Sequence, residues 1–260
     1  MAELSEDYLI ETSDASPVSM DGFIPRQRVA FIIQGIGGNL FPSFNMIVDC
    51  LVQRGYSTIL ALGTAKSALC RETRPLYRPN IEGLLGELTA QLSSDDVLFT
   101  AVLGSSYTKT GSLYIPLHDS SALSAVELRA LVSRIPVHHA VHYLSPHVYA
   151  GDFAQILGGA QHPDFCNGHI ALSPTTPDVH TSSLGHTVTR GQYQSVEVVT
   201  PFHAKFFDPE DYPTLEARFQ AAAKYQRKIS EKRRAYMRYG VVHPQGIAFR
   251  PQEQSYTVQN

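Results

Sequence analysis

Three stretches of the chain, RVAFIIQ (28–34), STILALG (57–63) and VLFTAVLG (97–104), are almost unbroken runs of apolar residues. A strand with one wet face alternates apolar with polar side chains, so strands lacking that alternation need cover on both sides, the situation of a parallel sheet inside an α/β domain. The segments between the runs have helical spacing instead. Phe44, Ile47, Val48 and Leu51 fall on one stripe that Gly55 closes, and Ile81, Leu84, Leu85, Leu88 and Leu92 form another that Asn80 is placed to cap. Strand, helix and strand in repetition predict a mainly parallel sheet with helices on both faces.

After Gly104 the rhythm changes. SSYTKTGSLYIPLHDSS reads as a loop, a short strand SLYIPL and a polar turn, and LSAVELRALVSRIP follows as a helix with Ser124 and Glu127 in capping-box spacing. VHHAVHYL is a fourth strand, GDFAQILGG a short helix, GHIALSPTT a fifth strand and SVEVVTPFHAKFF a sixth. RETRPLYRPN, with two prolines and three arginines, reads as a loop. Residues 1–26 read as a flexible acidic N-terminal arm, 27–240 as one α/β domain ending in a basic helix, and 241–260 as a C-terminal tail.

Composition narrows the function by exclusion. A formal charge of -3 gives no general case for nucleic acid or an anionic membrane, and no apolar run is long enough to span a bilayer. Cys50, Cys70 and Cys166 lack paired spacing, so neither a disulfide framework nor a thiolate zinc site is indicated, and a reducing, cytoplasmic setting is the expectation. No cofactor is implied: GIGGN is not a full G-x-G-x-x-G because position 40 is Leu. Of the histidines grouped at His138, His139, His142 and His147, strand geometry sends His139 to the face opposite His138 and His142, which leaves hydrogen-bonded core or edge histidines as the plain reading and no metal site. KYQRKISEKRRAYMR and the arginines Arg71, Arg74 and Arg78 would suit an acidic partner only if they shared one side.

In open parallel sheets, ligands and reacting groups gather beyond the carboxyl ends of the strands. Three turns end there: GIGGN (35–39), LGSSYTKTG (103–111) and SPHVYAGD (145–152). The LGSS turn followed by TGSLYIPLHDSSALSAVELRALV, a strand running into YAGDF, and the later IALSPTTPD resemble the caspase and hemoglobinase superfamily of cysteine peptidases over about residues 28–205. The resemblance implies a caspase-like three-layer sandwich with a mainly parallel six-stranded sheet. In that family one strand ends in Ser-Gly-His-Gly and a later one in Asp-Ala-Cys-x-Ser-Gly. Carried over, the histidine position falls on Ser105 and the cysteine position on Val148, with Gly104 and Gly151 retained.

A valine has no lone pair with which to attack, and a serine hydroxyl is no base near neutral pH. The resemblance therefore implies a pseudoenzyme that binds a protein or peptide partner, with an active homologue among the candidates, and that works as a scaffold or regulator within a homo- or hetero-oligomer. Its groove would be lined by Gly35, Gly37, Ser105, Tyr107, His147, Val148 and Tyr149. Two other readings stay open. One is a hydrolase or transferase with Ser105, Ser106 or Ser145 as nucleophile and His147 or His142 as base, although no G-x-S-x-G is formed. The other is a nucleotide-binding α/β module.

Overall fold

A computed structural model describes residues 24–36, 41–104, 107–109, 112–144, 169–173, 186–190, 193–197, 201–208, 217–225, 228 and 245–248. β1 (Arg28–Gln34), β2 (Thr58–Leu62), β4 (Val97–Leu103), β8 (His139–Leu144) and β9 (His169–Ser173) form the parallel body of the main sheet. The short β3 (Glu72–Arg74) joins parallel to β2 and β12 (Gln245–Ala248) antiparallel to β9, so the order across the sheet is β12-β9-β8-β4-β1-β2-β3. β5 (Tyr107–Lys109), β6 (Ser112–Pro116) and β7 (Ala122–Ser124) make a small antiparallel sheet, and β10 (His186–Arg190) pairs with β11 (Tyr193–Glu197) in a hairpin. The helices are α1 (Phe41–Gln53), α2 (Arg78–Gln91), α3 (Ala125–Val132) and α4 (Pro201–Phe206), followed by a helical run over 217–225, α5.

β1 shows why its run carries no polar face. Val29, Phe31 and Ile33 enter one core with Leu84 and Leu88 of α2 and Leu128 and Val132 of α3. Ala30 and Ile32 enter a second core with Phe44, Ile47 and Leu51 of α1 and Phe202 and Phe206 of α4. Alternate residues of one strand thus serve two cores, each roofed by its own helices, because successive side chains leave a strand on opposite sides. A fully buried Leu, Ile or Phe contributes about 1.5–3 kcal/mol relative to the exposed side chain, so a strand that buries both sides weighs heavily in stability.

Several sequence expectations are corrected. Among the described residues the main sheet has seven strands rather than six. RETRPLYRPN is not all loop: Glu72–Arg74 pairs with β2. Tyr77, in extended conformation, rather than Asn80 stands at the N-cap of α2; Pro79 fixes the first turn, while the Asn80 side chain donates to the Pro75 carbonyl at 2.8 Å. Of SVEVVTPFHAKFF, expected as a sixth strand, SVE lies in β11 of the hairpin, while PFHAKF is helix α4, because Phe202 and Phe206 lie four apart on one stripe behind Pro201. Residues 245–248, assigned to the tail, are β12 at the sheet edge. The capping box has the expected form, with Glu127 N–H donating to Ser124 Oγ at 3.1 Å and Ser124 N–H donating to Glu127 Oε2 at 2.8 Å.

At the amino-terminal edge of the sheet a buried carboxylate ties the chain entry down. Asp96, with no exposed surface, accepts from Arg26 Nη2 at 2.6 Å, Arg26 Nε at 3.0 Å, Ser93 N–H at 2.7 Å and Gln27 Nε2 at 3.3 Å. Arg26, read as part of the arm, is therefore a fastening point. Burial alone would raise the Asp96 pKa, but the hydrogen bonds from Arg26, Ser93 and Gln27 outweigh it and hold the group below its ordinary value. A depressed carboxylate stabilises the fold in full above its unfolded pKa, near about 4, and loses that contribution as pH falls through the folded value. Asp96→Asn is therefore expected to cost about 2 kcal/mol near pH 7 in urea unfolding, with the gap to the parent protein closing in acid. A gap that stayed constant to pH 2.5 would contradict this account.

Candidate functional site

The carboxyl edge is set by register. Gln34 of β1 lies opposite Leu103 of β4, and Val102 of β4 lies opposite Leu144 of β8, so the three strands end side by side. Pairing runs one residue further between β1 and β4, where Gly35 N–H donates to the Leu103 carbonyl at 2.7 Å. Here two turns meet backbone to backbone. Gly104 has φ +120°, and a Cβ there would lie 2.9 Å from both Cα and C of Gly35. Neither the conformation nor the space admits a side chain.

A second device fixes the neighbouring turn. Gln34 is 6% exposed, and its Oε1 accepts from Ala65 N–H at 2.6 Å and Thr64 N–H at 3.2 Å. Gly63 follows at φ +147°, where a Cβ would fall 2.6 Å from the Gln34 Cβ. Both residues escaped the sequence reading. A single polar residue ending the apolar run RVAFIIQ was the available signal, since a buried amide has to find backbone partners.

The β5–β7 sheet sits against this edge. A Cβ on Gly35 would touch Ile115 Cγ2 of β6 at 3.4 Å, and Leu117 and Leu123 reach into the same core as Ile33. Tyr107 of β5, 40% exposed, stacks on Tyr114 with ring centroids 5.6 Å apart and planes at 20°. Of the seven expected groove residues, Gly35 and Tyr107 are thus placed at the edge and in its adjoining sheet. Gly37, Ser105, His147, Val148 and Tyr149 lie outside the described residues, as do the alternative nucleophiles Ser106 and Ser145.

His142, the other candidate base, is wholly buried two residues before the end of β8, and its Nδ1 lies 2.7 Å from Thr100 Oγ1 on the adjacent strand. A ring enclosed in that way is a core histidine, and no substrate reaches it without opening the sheet. His203 of α4 is also fully buried. Its Nε2 is 3.0 Å from the Ser43 carbonyl and its Nδ1 is 2.9 Å from the Tyr143 hydroxyl. A carbonyl only accepts, so Nε2 carries the hydrogen, and in the neutral ring Nδ1 accepts from Tyr143. Burial raises the Tyr143 hydroxyl well above its ordinary pKa, which suits a permanent donor. This network fastens α4 to α1 and β8.

The described thiols are poor candidates for a nucleophile. Both are free; burial raises Cys50 against the pull of Arg54 and Arg218, and pushes Cys70 up to about 11. Neither is a thiolate near neutral pH. Among the described residues no group of His, Cys, Asp or Glu is arranged to hold a metal ion. Two of the three loop arginines are neutralised by carboxylates: Arg74 pairs with Glu72 at 2.6 Å and Glu87 at 3.0 Å, and Arg78 pairs with Glu127 at 3.0 Å. No described helix is long and apolar enough to cross a membrane.

No family model matches the chain, and no curated protein matches it in sequence. Among solved structures it is similar to protein GSU0716 from Geobacter sulfurreducens, with a TM-score of 0.52 at 8% identity over 88% of this chain and 96% of that one. A second similar structure is the Drosophila initiator caspase Dronc, with a TM-score of 0.49 at 9% identity over 87% and 81% of the two chains. The likeness to GSU0716 is one of fold.

The edge geometry yields a direct expectation. Gly104→Ala should destabilise the protein by about 2–4 kcal/mol, because it combines a disfavoured φ with a backbone collision. Gly83→Ala, in the interior of α2 with its nearest contact at 3.6 Å to a flexible Arg74 side chain, should instead stabilise by about 0.5–1 kcal/mol. Equal effects at the two glycines in thermal unfolding would show that the contact between the turns is not tight.

Proposed function

We propose that this chain is a caspase-like protein without the cysteine-peptidase dyad, and that it binds an extended peptide segment at the carboxyl edge of its sheet without cutting it. The observation that carries the reading is the parallel pairing of β4 with β8, in which Val102 stands opposite Leu144. It ends the two strands side by side, as a dyad shared between the segments that follow them would require. A small antiparallel sheet and helix α3 lie between the two strands in the chain, in keeping with the short strand and helix of the family pattern.

The chemistry then follows from side chains. With Ser105 at the imidazole position there is no group to take the nucleophile's proton and return it to the leaving amine. With Val148 at the cysteine position there is no nucleophile. What the site offers in this reading is a groove between the segments that follow β4 and β8, with the half-exposed ring of Tyr107 beside it as a surface for an extended segment. The protein acts in this reading as a scaffold or regulator within an oligomer, an active homologue being one partner of the right kind.

The serine-hydrolase alternative fares less well on one specific point. A nucleophile elbow needs a helix directly after the strand, whereas β4 is followed by strand β5. Two results are expected. The parent protein should take up no fluorophosphonate, and Ser105→His with Val148→Cys should introduce thiol-dependent labelling by a peptidyl acyloxymethyl ketone that neither single substitution confers. Fluorophosphonate labelling abolished by Ser105→Ala or Ser145→Ala would overturn the binding reading.

A further inference from the structure

The buried amide of Gln34 is only half used. Its Oε1 accepts from Ala65 N–H at 2.6 Å and from Thr64 N–H at 3.2 Å, and two backbone donors on that side fix which way round the amide stands. Nε2 is therefore on the opposite side of the group, with two N–H donors that meet no acceptor among the described residues. Since Gln34 is 6% exposed, bulk water reaches little of it, and buried donors left without a partner are costly. A side chain that served the turn alone would need only its oxygen.

The surroundings select the acceptor. Gln34 is the last residue of β1, and the register that sets Ile33 opposite Leu62 brings it beside Gly63, where a Cβ would fall 2.6 Å from its own. No side chain from that position covers the amide. Lys66 follows directly on Ala65, is exposed, and makes no hydrogen bond or ion pair among the described residues. Its flexible four-carbon stem can carry the ammonium across the mouth of the turn. Ile36, two residues past Gln34 and 47% exposed, and Phe41 at the start of α1, 46% exposed, give the same strand end apolar surface. Parallel sheets place ligands beyond such carboxyl ends.

We infer that Gln34 and Lys66 bind the carboxylate of a small organic acid at the carboxyl end of the β1–β2 pair. Gln34 Nε2 donates to a carboxylate oxygen, Lys66 supplies the opposite charge, and the apolar body of the acid lies toward Ile36 and Phe41. The donor set favours a carboxylate over its competitors. A phosphate is held by several backbone N–H groups at once, and those of Thr64 and Ala65 are already spent on Gln34 Oε1. A neutral carbonyl would leave the charge of Lys66 unused. The site lies on the side of β1 away from β4 and β8, so the inference does not depend on the peptide-binding reading.

Titrating the full-length, isotope-labelled chain with sodium butyrate tests this, read by NMR at the Gln34 side-chain amide and the backbone of residues 64–66, and by melting temperature. The resonances should move saturably and the melting temperature should rise, whereas sodium phosphate and sodium chloride at equal ionic strength should do neither. Gln34→Glu keeps an acceptor for Thr64 and Ala65 but removes the donors, so the variant should fold and lose the butyrate response. Lys66→Met should weaken the affinity about two- to fivefold without changing the melting temperature of the unliganded protein. No saturable shift in the parent, an equal response to phosphate, or a butyrate response kept by folded Gln34→Glu would each overturn the inference. An affinity unchanged by Lys66→Met would do so even where Gln34→Glu failed to fold.

Discussion

The structure depends on β1 being buried on both sides. Its residues alternate between two cores, Val29, Phe31 and Ile33 toward α2 and α3, Ala30 and Ile32 toward α1 and α4. Because β2 and β4 pair on either side of it in parallel, β1 fixes where its neighbours end as well as what covers them. A one-residue slip of this strand would exchange its two side-chain sets and mismatch both cores, so its register is held by packing as well as by its ladder. The carboxyl edge inherits that precision. The contact of Gly35 with Gly104 and the Gln34 amide that holds the turn after β2 are consequences of strands that cannot slide.

The two edges of the sheet do different work. At the amino-terminal edge, Asp96 gathers Arg26, Gln27 and Ser93 and closes the entry of the chain with charge-assisted hydrogen bonds. At the carboxyl edge the fixed features among the described residues are the Gly35–Gly104 backbone contact and the Gln34 amide. Of the two candidate bases, His142 is held by Thr100, and His203, which no sequence signal singled out, is held by Tyr143 and the Ser43 carbonyl. A buried imidazole with both nitrogens engaged orients helices, and its chemistry is not available to a ligand.

What could be read from the sequence were features whose cause is local. RVAFIIQ, STILALG and VLFTAVLG announce buried strands in their own composition, and Ser124 with Glu127 announces a helix start through a contact three residues long. The missed features have distant causes. Glu72–Arg74 is a strand only because β2 offers it an edge, and Gln245–Ala248 only because β9 does. PFHAKFF was drawn into a strand by the β-branched residues before it, although Pro201 and the four-residue spacing of Phe202 and Phe206 were local signs of a helix. Near the candidate site Gly35 follows its strand as the sequence suggested, whereas Tyr107, expected in a loop, lies in β5 because β6 offers it an edge, and the role of Gln34 came into view only once β2 lay beside it. For His142 the structure favours the plain reading, a hydrogen-bonded core histidine, over the alternative of a base.

The central claim is that the turns after β4 and β8 face one another with a serine and a valine where a peptidase carries imidazole and thiol. Cross-linking measures this most directly: Ser105→Cys and Val148→Cys, in a chain with Cys50, Cys70 and Cys166 replaced by alanine, treated with a short bis-maleimide and mapped by mass spectrometry. The account predicts an intramolecular link between the two positions at high yield and independent of protein concentration. Separate single modification of both cysteines, with no link in a chain that remains folded, would contradict it.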